Sequence, residues 1–198
     1  MAVTPKKIVI ISAVSAVAII GIGFLVTAVS KVFIPEEFFT QRIVGAGEVK
    51  NVARMVSDSL DNLQQIEAAD QTGDTSRALD LVAYEQSNRQ DKQNAAVRLS
   101  GSLERMARST VDITPENARG LSVEIVSAGV AMVSRIINYN TLLDSLFEAL
   151  KAKFLHTVYS GPTVKALVER INTEASAINQ LNQTFNSSLA DFDRQFVK

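Results

Sequence analysis

Residues Ile8 to Val29 read IVIISAVSAVAIIGIGFLVTAV, a run of about 22 residues without a charge. Nothing else in the chain restricts its fate so tightly. At a rise of about 1.5 Å per residue, such a run crosses the roughly 30 Å hydrocarbon core of a bilayer as a helix, which satisfies its own backbone hydrogen bonds in lipid. Residues 8–29 are therefore expected to span a membrane, with bilayer lipid as the first partner. A signal peptide is the competing possibility, with Lys6 and Lys7 as its positive flank and Ala28-Val29-Ser30 as its cleavage site. Signal-peptide cores run about 7 to 15 residues, so the length favours an uncleaved anchor.

Orientation follows from the cations. Lys6 and Lys7 precede the run, whereas Lys31 is soon followed by Glu36 and Glu37. The positive-inside rule places the N-terminus in the cytoplasm. The expected layout is a single-pass protein of the inner (plasma) membrane, with residues 1–34 as tail and anchor and 35–198 as an extracytoplasmic domain. Ser12, Ala16, Gly23, Thr27 and Ser30 fall near one stripe of the anchor, interrupted at Ile19 and Ile20. Small residues of this kind let membrane helices approach closely.

Beyond Pro35 the breakers cluster at three places: Asp70 to Thr75, Asp112 to Pro115, and Ser160 to Thr163. Between them lie segments too long for strands and without period-two alternation. The fourth carries a heptad seam of Val164, Val168, Ile171, Ala175, Ile178, Asn182, Phe185, Leu189, Phe192 and Phe196. The first repeats it in Val49, Val52, Val56, Ser59, Leu63 and Ile66. The third has Ile125, Met132, Ile136, Tyr139, Leu143, Leu146, Leu150 and Phe154. The spacing predicts an all-α fold, an antiparallel up-down four-helix bundle with helices over about 36–69, 75–111, 115–157 and 162–197. At the third helix Thr114 is expected to cap and Pro115 to take the first helical position. Gly45, Gly47 and Gly120, with Gly101 and Gly129, are read as close helix contacts or bends.

The second segment departs from this pattern, because Glu85 to Asn94 gives about three turns without an apolar residue. Such a stretch cannot bury a dry face. Folding the helices back about their turns brings Ser57, Asp58, Asp61, Asn88, Arg89, Arg135, Asn138, Tyr139, Asn140, Asn179 and Asn182 to one height. The result is a polar layer at mid-bundle. Either it is a solvated stretch with amides that fix register, or it is a pocket for a small solute. In the pocket, Arg89 or Arg135 would pair with an anionic group, and Asn138, Tyr139 and Asn182 would hydrogen-bond it.

Composition removes other functions. With no cysteine and one histidine, thiolate sites, Cys nucleophiles and His-based zinc sites are excluded. The one histidine, His156, has Lys153 where a di-iron bundle needs glutamate. A net charge of −1 gives no surplus of cations for nucleic acid. Paired carboxylates such as Asp58 with Asp61 read as solvated faces, and no phosphate loop or nucleophile elbow occurs. No enzyme activity, cofactor or metal is expected.

Leu121 to Val133 is apolar around most of its circumference, while Glu124 and its length argue against a second span. A helix apolar all round needs burial on all sides, yet a four-helix bundle leaves one face outward. Leu121, Ile125, Val130 and Val133 are therefore the expected surface for a protein partner or a second copy. The layout of one anchor and a helical bundle resembles that of LemA-like proteins and chemoreceptor sensor bundles, without a motif of either group. The expected role is a structural or adaptor component of an envelope assembly. The alternative is a solute-binding sensor subunit using the polar layer.

Overall fold

A computed structural model describes residues 32–197 of the chain. The expected anchor at 8–29, and with it the cleavage and orientation of the N-terminal segment, lie outside the described residues. The described part is all-helical. Helix α1 covers Glu36–Gln71, α2 Thr75–Ser87, α3 Arg89–Ser109, α4 Glu116–Phe154 and α5 Val164–Phe196, with one 3-10 turn at Thr110–Asp112. The stretch expected as a single helix over 75–111 is thus divided at Asn88.

Local chemistry sets the ends. Glu36 and Glu37 place negative charge on the first turn of α1, where free N–H groups favour it. Asp74 caps α2 by accepting from the Arg77 N–H at 3.1 Å, and Thr163 caps α5 by accepting from Ala166 at 3.3 Å. Thr114 precedes the cap residue of α4. It exchanges backbone hydrogen bonds with Phe33, at 3.0 and 2.9 Å, and Pro115 stands at the cap position, one residue before the helix. At the far end of α4, His156 takes a left-handed conformation with φ of 54°. The Thr157 N–H then reaches the Ala152 carbonyl at 2.9 Å, closing the helix with a Schellman motif.

The heptad residues make the core. In α4 all eight of the expected seam residues are buried, from Ile125 to Phe154. In α1 Val49, Val52, Val56, Ser59 and Ile66 are buried, and in α5 Ile171, Ala175, Ile178, Phe185 and Phe192. Val168 is exposed, and Asn182 and Leu189 are half-buried. Helix α4 packs most extensively on α5 and also meets α3 and α2, while α1 packs on α3, α2 and α5. Phe38 and Phe192 join the start of α1 to the end of α5, with ring centroids 5.1 Å apart. Elsewhere α1 and α5 part around a groove of about 560 Å³, lined by Leu60, Leu63, Leu146, Leu150, Val164 and Val168 among others.

The glycines divide into two kinds. A Cβ on Gly129 would lie 2.4 Å from Leu103 Cδ2, and one on Gly45 3.3 Å from the Ser102 hydroxyl, so these two permit close approach to α3. Gly47, Gly101 and Gly120 face open space. Among the described residues one helix, α4, is long and apolar enough to cross a membrane by length and composition, with mean hydropathy 1.6. Here it is packed among the other helices and tied to them by charged side chains.

Candidate functional site

The heptad pattern continues through the second stretch once its charged residues are included. Ala78, Val82, Glu85, Lys92, Ala96, Leu99, Leu103 and Met106 recur at spacings of three, four and seven, and all are buried. Glu85 and Lys92 therefore occupy seam positions on either side of the break at Asn88. Burying either charge alone is costly, so each must be paired. Lys92 Nζ donates to Glu85 Oε2, Asn62 Nδ2 donates to Oε1, and Ser59 Oγ donates to Oε2 at 3.1 Å. The Glu85 carboxylate is 2% exposed. From α4, Tyr139 completes the cluster, with its hydroxyl 3.4 Å from the Val56 carbonyl. Burial raises the Tyr139 pKa well above the usual phenol range and nearby Glu85 adds to the rise, against a smaller opposing effect of the Ser59 hydrogen bond. The hydroxyl stays protonated and acts as a donor.

Beside this cluster lies a groove of about 180 Å³, lined by Arg54, Asp58, Asn62, Tyr84, Glu85, Asn88, Asp91 and Lys92 among others. Arg54 pairs with Asp58 at 2.9 Å. The groove is polar and crowded with mutually paired charges.

The residues expected to form a solute pocket do not converge. Arg89, exposed, pairs with Asp144 at 2.9 Å, and Arg135, also exposed, pairs with Glu174 at 3.3 Å. Asn138 points to solvent, Tyr139 is sealed in the core, and Asn182 accepts a hydrogen bond from Asn186 at 2.7 Å. The fold-back that aligned Asn138 with Asn182 counts every residue as helical. The connection after α4 instead runs back along the helix, where the Tyr159 hydroxyl reaches the Ser145 carbonyl at 3.4 Å. Extended chain advances about 3.3 Å per residue against about 1.5 Å in a helix, which displaces the register of α5. Asp58 and Asn88 both line the groove. Sequence pattern marked Ser59 as a seam residue and Glu85 and Lys92 as part of a polar run, but not their buried pairing, and it did not mark Asn62. The signal was present in the seam spacing of Glu85 and Lys92.

Burial of Asp144 raises its pKa, the dominant effect, although Arg89 and Lys92 pull it down. A second polar contact joins α1 to α5, where Arg42 Nη1 lies 2.7 Å from both carboxylate oxygens of Asp193 and its guanidinium sits 5.1 Å from the Phe39 ring centroid. Among the described residues no group of His, Asp and Glu is arranged to hold a metal ion.

The expected partner surface is partly inside. Ile125 is fully buried, while Leu121 and Val133 are half-buried and packed against the core. Ile125 faces inward because it shares the inner heptad with Met132 and Tyr139. Val130 is exposed, and Val123 and Ile137 flank it at seven-residue intervals, 48%, 55% and 55% exposed in chain order. The outer face of α4 thus carries its own apolar row. No protein-family model, curated protein or solved structure matches this chain.

Proposed function

We propose that this chain is a single-pass anchored, extracytoplasmic helical bundle, its helices running up and down, that serves as a structural or adaptor component of an envelope assembly. The observation that carries the adaptor reading is the exposed row Val123, Val130, Ile137 on α4. Apolar side chains at heptad spacing on an outward face remain wet unless another helix covers them. The anchor is carried by the uncharged run at 8–29. Ion pairs between Asp70 and Lys153, Glu48 and Arg98, and Arg42 and Asp193 fit the up-down order, since each joins residues that such a bundle places at one height.

Two measurements test this. Protein copurifying with the wild-type chain from native membranes is expected to be lost in Val130→Glu, a substitution that leaves the core untouched. Unchanged copurification would reject the surface. Mature protein is expected to begin before Ile8 and to resist alkaline extraction from membranes. Material that begins after Ser30 would reject the anchor.

A sensor reading draws support from the 180 Å³ groove, through Arg54, Asn62, Asn88 and Asp91 rather than Arg89, Arg135, Asn138 and Asn182. It requires that small amines or amino acids raise the melting temperature of the wild type and not of Asp91→Asn. A flat response across such a panel removes it.

A further inference from the structure

We infer that the outer face of α4 pairs with the same face of a second copy of this chain, in antiparallel order, about a two-fold axis through Val130. The inference deepens the adaptor reading by naming the occupant of that face. At about 100° per residue, Val123, Val130 and Ile137 fall within a 40° arc of the helix surface. Beside them Ser127, Ala131 and Ser134 are exposed, small and shallow. The face is thus a ridge next to a trough, so a copy turned end for end can set its ridge into that trough.

The two-fold operation about Val130 is self-consistent at every level. It sets Val130 against Val130 and Val123 against Ile137, an isologous contact in which both halves are alike. It also sets Glu124 of one copy within one residue of the level of Arg135 of the other, twice over. Glu124 and Arg135 lie on the same flank of the ridge, and antiparallel helices bring matching flanks together. Arg135 keeps part of its charge exposed despite Glu174. A parallel pair turns matching flanks to opposite sides and leaves Glu124 and Arg135 without that mutual contact, so charge complementarity favours the antiparallel order. Phe33 is bridged to Thr114 at the start of α4. The residue-33 ends of two paired chains therefore lie at opposite ends of the contact. A ridge from 123 to 137 is about 21 Å long. One helix face of this length falls short of the roughly 1,200 Å² of a stable dimer, so the pairing is weak and concentration-dependent.

The chain contains no cysteine, so single cysteines report on it cleanly. The full-length protein in detergent, mildly oxidised, is expected to give a disulfide dimer for Val130→Cys. Val123→Cys and Ile137→Cys are expected to cross-link when mixed but not alone. Charge reversal in Arg135→Glu is expected to lower the yield for Val130→Cys about two- to fivefold, the range of an exposed ion pair, and Glu124→Arg on top of it to restore the yield. Val123→Cys linking to itself as readily as Val130→Cys would overturn the antiparallel order. A yield for Val130→Cys no higher than for Ser176→Cys, an exposed position on α5, would overturn the pairing itself. A chain that copurifies with nothing from native membranes removes the adaptor reading and leaves this pattern to decide the self-contact.

Discussion

Glu85 and Lys92 show how a single residue pair can decide the character of a seam. Each sits where the heptad asks for an apolar side chain, and each is tolerated because the other, with Ser59 and Asn62, satisfies it. Removing Lys92 leaves the buried Glu85 charge with only the neutral donors Ser59 and Asn62. Lys92→Met is therefore expected to cost about 3–5 kcal/mol in chemical denaturation, whereas Glu85→Leu with Lys92→Met together is expected to be neutral or stabilising. If the double variant is as weak as the single, the pair contributes more than mutual neutralisation. Asp144 offers a test through pH. Its folded pKa is raised by burial, so the folded state binds its proton more tightly than the unfolded chain does. That contribution is fully present below the ordinary aspartate value of about 3.9 and is lost as pH rises through the raised folded value. Asp144→Asn is expected to melt at or above the wild type at neutral pH, with its advantage shrinking as pH falls through the raised folded value and gone below about 3.9. A variant that is less stable at neutral pH would show that the Arg89 pair outweighs burial.

At the scale of elements, the seams of α1, α4 and α5 were legible because an inward face repeats every seven residues whatever the neighbours are. The second stretch was legible only as polar, since its two seam charges masked the repeat. Glycine could be located in the sequence but not interpreted there. Gly129 meets Leu103, and its Cβ would collide. Gly129→Ala is expected to destabilise by about 1–3 kcal/mol through overpacking. Gly47→Ala, with open space around it, is expected to stabilise by up to about 1 kcal/mol through helix propensity. Equal effects of the two substitutions on the melting temperature would contradict this packing of α3 against α4.

In the whole molecule the described helices enclose one continuous core, closed at one side by Phe38, Arg42, Phe192 and Asp193 between α1 and α5. Because these helices diverge around the 560 Å³ groove, that closure carries much of their mutual hold. Phe192→Ala is expected to cost about 3–5 kcal/mol and to lower the melting temperature in one cooperative transition followed by circular dichroism. A separate early transition for α5 would show that it is not integral to the core. The sequence alone determined that the described part is built of helices and which faces of α1, α4 and α5 turn inward, because helical periodicity and breaker placement are local properties. It also determined the uncharged run at 8–29. Only the tertiary structure decided which polar residues meet, since an extended connection after α4 shifts α5 along its neighbour. Only the packing, likewise, left the second apolar row of Val123, Val130 and Ile137 uncovered. A helix apolar on two sides carries no local mark of whether its own chain will cover the second.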